Sequence, residues 1–176
     1  MSASDQLAPS AITFRDASLE DLPLLLHWDK QPHVIASDPD DDWEWEKELP
    51  MQVSWREQLV AELDGEPIGF VQIIDPYEEE THYWGEVEQN LRAIDIWIGE
   101  ADNLNKGYGK QMMKLAIARC FAAPGVTKIL IDPLASNIKA HRFYERLGFI
   151  FVEERSFDGT PCFVYELPRP GSLKHT

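Results

Sequence analysis

The chain has 176 residues, 44% hydrophobic and 27% charged. At roughly 150 residues per domain that suits one folded domain, and neither global disorder, a collagen-like repeat nor a small disulfide scaffold fits. Sixteen basic against 31 acidic residues leave a net charge of −15, which opposes any general hold on nucleic-acid phosphates or anionic lipid.

No apolar run reaches the roughly 20 residues needed to span a bilayer, and the first residues lack a basic flank followed by an apolar stretch. The expectation is a cytoplasmic protein with no nucleic-acid or membrane partner. Cys120 and Cys162 are the only cysteines; one pair makes neither a disulfide framework nor a four-ligand zinc site, so both read as reduced packing residues. The five histidines show no ligand spacing, and no metal is expected.

In chain order, Ile12–Asp16 alternates as a half-buried strand does. Ser18, followed three residues later by Asp21, marks a helix start, with Leu22 to Trp28 as the helix and Pro32 helping to end it. Residues 38–48 are acidic and Trp-bearing, a loop passing into a short helix. Residues 57–63 and 66–74 form two strands joined by an Asp64-Gly65 turn. Residues 77–90 read as loop. Residues 93–99 restore a strand, with Ile94, Ile96 and Ile98 on one face and Asp95 and Trp97 on the other.

From there the pattern is helix (109–121), buried strand (128–131), helix (136–147) and a final hairpin (149–157 and 161–167) across Asp158-Gly159. Hairpins combined with βαβ crossovers predict one mixed sheet flanked by helices, an α/β (α+β) domain over residues 11–168, with residues 1–10 and 169–176 as flexible ends.

Charge is segregated along the chain. Residues 101–148 hold eight Lys/Arg against three acids, a local balance of +5, and the remainder carries −20. One region suits an anionic ligand; the other suits a cationic one or is simply a solvated surface. Within the basic region, Leu104-Asn105-Lys106-Gly107-Tyr108-Gly109-Lys110 lies between a strand and a helix. Glycine lets the amides there turn toward one point and the helix dipole adds positive potential, so the loop reads either as a phosphate cradle or as a tight turn. Further on, Asn137 at a helix start and Tyr144 two turns later fall near one face. Asn137 reads equally as a cap, and Tyr144 equally as a core aromatic.

The glycine loop, Ile94-Asp95 before it, Ile131-Asp132-Pro133, Ser136-Asn137 and Tyr144-Glu145-Arg146-Leu147-Gly148-Phe149 together resemble the GCN5-related N-acetyltransferases (GNAT). The resemblance is closer to the aminoglycoside 6'-N-acetyltransferase branch and runs from about Ile12 to Leu167. It implies a single domain whose mixed, mostly antiparallel sheet has a splayed pair of central strands. It also implies acetyl-CoA as cosubstrate. The diphosphate would lie on the amides of Lys106, Gly107, Tyr108, Gly109 and Lys110, the pantetheine beside Trp97 and Ile98, with Asn137 contacting that arm and Tyr144 facing the sulfur. Leu104 departs from the Gln or Arg common at its position.

The branch further implies Asp95 as general base or substrate anchor, Tyr144 as proton donor to the departing thiolate, and Glu80, Asp132 and Asp158 as acids contacting a cationic amine. The branch's aromatic pair after the first helix is not reproduced: Ile35-Ala36-Ser37 stands near there, and Trp43, Trp45, Tyr83 and Trp84 either rebuild an aromatic wall or pack against the sheet. The implied activity is transfer of acetyl to a primary amine, an aminoglycoside first and an amino acid, polyamine or siderophore precursor second. A CoA-binding module without turnover is the third reading. The protein is expected to be a monomer or homodimer.

Overall fold

The computed structural model describes residues 11–171. Strand β1 (Ile12–Asp16) leads to a 3-10 turn at Leu19–Asp21. The Ser18 Oγ accepts from the Glu20 amide and the Asp21 carboxylate accepts from the Ser18 amide, the reciprocal cap read from the sequence. Helix α1 (Leu22–Asp29) follows. Pro32 departs from expectation, because it opens a second helix, α2 (Pro32–Ser37), at a first-turn position where a missing N–H has no intrahelical acceptor to lose. The acidic stretch ends in the short α3 (Trp45–Glu48).

Strands β2 (Arg56–Leu63) and β3 (Glu66–Ile74) meet across Asp64 and Gly65, whose φ values of 51° and 84° suit the right-handed twist of a tight hairpin. After a loop come β4 (Leu91–Ile98), helix α4 (Tyr108–Phe121), β5 (Lys128–Ile131), helix α5 (Ile138–Arg146) and the hairpin β6 (Ile150–Phe157) and β7 (Thr160–Pro168). The seven strands are ordered β1-β2-β3-β4-β5-β7-β6, and only β4 and β5 run parallel. Pairing between those two covers Leu91 to Ala93 on β4; from Ile94 onward β4 keeps β3 as its partner but parts from β5. The sheet therefore splits at its middle, where the chain places Asp95 and Trp97.

Two layers of side chains use the two faces. Ile94, Ile96 and Ile98 join the core beneath α4 and α5 with Met112, Met113 and Ala116. On the opposite face Trp97 packs with Phe70, Trp28, Trp43 and Trp45 under α1 and α3. Gly99 permits this packing, since a Cβ there would come within 2.0 Å of the Trp28 ring. Both cysteines are free and buried. Arg169, placed by the sequence in the C-terminal end, is fastened to the body: its guanidinium donates to the carbonyls of Val126, Ala123 and Phe121. Among the described residues no helix is long and apolar enough to cross a membrane.

Candidate active site

A cleft of about 980 Å³ opens where β4 and β5 separate. One end leads to the glycine loop. Asn105 and Gly107 take positive φ values of 60° and 82°, and the first amide bonded back within α4 is that of Gln111, onto the Gly107 carbonyl. The preceding amides of the first turn project beyond the helix end, with Lys106 and Lys110 exposed beside them. Tyr108 is half-buried, whereas Gly109 and Leu104 line the cleft. A Cβ added at Gly107 would meet nothing within 4 Å, so the space above the loop is open, and glycine is required there by conformation alone.

The residues present fit a CoA group. The unpaired half of β4 offers backbone groups to an extended amide chain beside Trp97 and Ile98, and the loop offers amides and two lysines to a diphosphate. His33 from α2 sits 2.8 Å from the Ile98 carbonyl and ties that free strand end to the helix. Asn137 caps α5 through its Oδ1, which accepts from the Ala140 amide at 3.2 Å. The cap leaves the side-chain NH₂ as the portion suited to a ligand. Asn137 and Tyr144 both line the cleft, so the structure brings them together as the spacing predicted.

The other end is acidic. Asp95 stands opposite Gln72 in the β3–β4 register, and Gln72 opposite Gln58, giving a hydrogen-bonded row: Gln58 Nε2 donates to Gln72, and Gln72 Nε2 to Asp95, each at 3.3 Å. Asp132, at the end of β5, accepts from the Tyr83 hydroxyl at 2.5 Å. Asp38 and Asp41, on the loop before α3, line the same cleft.

Burial, then the Asp132 charge, pushes Asp95 up to about 7; burial likewise lifts Asp132 to about 7 against the Tyr83 hydrogen bond. Asp41 rises to about 7 through burial and the charges of Asp38 and Asp95. Burial followed by Asp95 and Asp132 raises Tyr144, which keeps its proton at neutral pH. Carboxyls whose protons move near neutrality thus face a phenol that stays protonated, a pairing suited to acid–base work.

The acidic positions are not all where expected. Asp158 is exposed on the β6–β7 turn at the cleft's rim. Glu80 points to solvent and does not line the cleft; its neighbour Glu79 does, but its carboxylate is engaged by Thr81 and the Tyr83 amide and shapes the loop. Asp38, Asp41 and Gln72 were missed. The strand alternation could have flagged Gln72, which shares the outward parity of Asp95 once the β3–β4 register is known. Of the four aromatics proposed for a wall, Trp45 and Trp84 are buried packing residues. Trp43 stacks on Trp45 at 5.1 Å and also lines the cleft with Tyr83.

Residues 17–167 match the family model for the acetyltransferase (GNAT) domain, and the chain belongs to that family of acetyl-CoA-dependent N-acetyltransferases. Among its relatives is an aminoglycoside N(6')-acetyltransferase type 1 of Klebsiella pneumoniae, 30% identical over 153 residues that make up 79% of this chain and 74% of the relative. A spermine/spermidine N(1)-acetyltransferase of Bacillus subtilis is 29% identical over 107 residues, 59% of this chain and 66% of that protein. The fold is similar to the crystal structure of aminoglycoside acetyltransferase AAC(6')-Ib in complex with coenzyme A and kanamycin, with a TM-score of 0.80 and 27% identity, covering 90% of this chain and 95% of that one.

Proposed function

We propose that the chain acetylates a primary amine of an aminoglycoside of the kanamycin type. The observation that carries this reading is the meeting, at the split in the sheet, of Asp95, Asp132 and Tyr144 with an acidic loop, next to a cradle fit for CoA. Similarity to aminoglycoside N(6')-acetyltransferases supports the choice of amine.

Acetyl-CoA supplies an activated acetyl carbon. The chain's own residues do the rest. Asp132 and the Asp38–Asp41 pair draw an ammonium into the cleft. Asp95, ionised at about pH 7 and above, accepts its proton so that the nitrogen lone pair can form the new N–C bond. β4 amides near Trp97 hold the negative charge on the acetyl oxygen while the N–C bond forms; as the C–S bond breaks, the Tyr144 hydroxyl donates its proton to the sulfur, and the phenolate takes the second proton from the nitrogen, which leaves an amide and a neutral thiol. Neither cysteine serves as a nucleophile, because burial pushes Cys120 up to about 12 and Cys162 to about 11, leaving both as thiols.

The test is a CoA-release assay with kanamycin-type aminoglycosides, spermine, spermidine and lysine derivatives, repeated with Asp95→Asn and Tyr144→Phe. Turnover of an aminoglycoside that collapses in Asp95→Asn supports the proposal. Turnover confined to spermine or spermidine selects the polyamine reading that the Bacillus relative suggests, and CoA binding without transfer to any amine overturns both.

A further inference from the structure

Two half-buried carboxylates, Asp95 and Asp132, face one cleft, and the Asp132 charge raises the proton affinity of Asp95. Carboxylates so placed do not ionise independently, and a division of labour between them needs an asymmetry in their surroundings. The asymmetry lies in their donors. Asp95 receives a 3.3 Å amide hydrogen bond from Gln72, a neutral donor at the long end of the range. Asp132 receives a 2.5 Å hydroxyl hydrogen bond from Tyr83, at the short end of the range for a charge-assisted pair.

Tyr83 is built to deliver that bond. Its ring lies flat on Phe157, with centroids 4.6 Å apart and planes 8° from parallel, and meets Trp84 edge-on at 5.8 Å. Its own amide donates to Glu79 Oε2 at 3.0 Å, pinning the loop on the far side. Rotation of the phenol away from Asp132 would break the stack on Phe157. Tyr83 lines the cleft and is 44% exposed, so the Tyr83–Asp132 pair is open to a ligand entering from solvent.

We propose that Tyr83 is a positioning residue for the acceptor amine, its hydroxyl holding the Asp132 carboxylate in place as the anchor for the ammonium and so leaving Asp95 to take the substrate's proton. This rests on the assignment of Asp95 as base. The groups facing Asp132 are Asp95 from β4, Asp38 and Asp41 from the acidic loop, Tyr144 from α5, Cys162 from β7 and Tyr83 itself. Every one except Tyr83 is acidic or held neutral without a bond to Asp132, so Tyr83 is the side chain there that favours the charged form, alongside the backbone amide of Asp132 itself.

The experiment is Tyr83→Phe in the full chain, which keeps the stacked ring and removes only the hydroxyl. A hydrogen bond to a charged group sets the scale: KM for kanamycin should rise about tenfold while kcat at alkaline pH and KM for acetyl-CoA stay within about threefold of wild type. Because turnover needs both carboxylates ionised, the acid limb of kcat/KM should move about one pH unit alkaline. A fall in kcat alone, or an unmoved KM and limb, overturns the proposal.

A second readout does not depend on turnover. In protein labelled with ¹³C at the aspartate carboxyl carbons, with Asp132→Asn used to assign the resonance, the Asp132 midpoint should rise in Tyr83→Phe. An unmoved midpoint refutes the role of Tyr83 whatever the amine proves to be. If wild-type protein acetylates no aminoglycoside but the midpoint does rise, the acceptor assignment fails while the Tyr83–Asp132 link stands.

Discussion

The elevated proton affinity of Asp95 makes its most testable consequence a pH profile. With its carboxyl at about 7, rather than near the ordinary 3.8, close to half the enzyme holds the base form at pH 7 and about one-hundredth at pH 5. An unperturbed aspartate would be more than nine-tenths ionised at pH 5. The predicted kcat for acetylation at saturating amine, with Asp132 already engaged by the ammonium, therefore falls about a hundredfold from its plateau to pH 5, rather than by a small factor. The amine contributes its own proton equilibrium, so the control is Asp95→Asn, which leaves the amine's dependence and removes the carboxyl's. This variant should lose about 10²- to 10⁴-fold in kcat, the usual span for a general base. Its residual rate should rise more steadily with pH, without the break near 7. The assay is CoA release in stopped samples over pH 5 to 9. A wild-type profile parallel to that of Asp95→Asn, or a variant retaining more than a tenth of the rate, would refute the assignment of Asp95 as base.

The same raised carboxyls affect stability. A group whose proton affinity is higher in the folded state contributes stability that is fully present below the unfolded value of 3.8 and is lost as pH climbs through about 7. The wild-type Tm should decline between pH 5 and 8, and Asp95→Asn should decline less, which calorimetry at both pH values checks. Gly107→Ala forces a Cβ onto a residue with φ of 82°, at a cost of about 1–2 kcal/mol, and should weaken CoA binding several-fold in titration calorimetry, with Gly107→Asn milder. Gly99→Ala drives a methyl into the fully buried Trp28 ring; an overpacking cost of about 1–3 kcal/mol predicts a Tm lower by roughly 3–10 °C.

What the sequence disclosed was set by local stereochemistry. Asp64-Gly65 and Asp158-Gly159 announce their hairpins because two adjacent positive φ values are needed and few residue pairs supply them. The face of β4 was readable because strand period alone separates Asp95 and Trp97 from the three isoleucines. The glycine loop was readable for the same local reason. Pro32 misled because its ring is compatible both with the end of one helix and with the first turn of the next, and α1 stops before reaching it. Partners across the sheet stayed hidden. The Gln72–Asp95 pair depends on a register set across the long loop of residues 75–90. The Thr160 hydroxyl that donates to Asp40 lies 120 residues away in the chain. The acidic run reads as a loop passing into a short helix, which α3 matches, but nothing local distinguishes Asp38 and Asp41, which line the cleft, from Glu46, which stays in solvent.

One register fact organises both halves of the site. Because β5 stops following β4 after Ala93, the next residues of β4 gain a free edge on the side where β5 would have lain. On that edge, Trp97 and Ile98 lead toward the cationic end of α4. Asp95, at the start of the gap, faces Asp132 across it and shares the cleft with Tyr144 from beneath. A continuous sheet would have used those backbone groups in a ladder and left none for a ligand. Arg56, which lines the acidic end, is already committed to Glu48 at 2.7 Å, so it does not compete with a ligand for the carboxylates beyond it. The separation of charge along the chain thus becomes a separation across a single gap, with the residue that must handle the proton standing at the boundary.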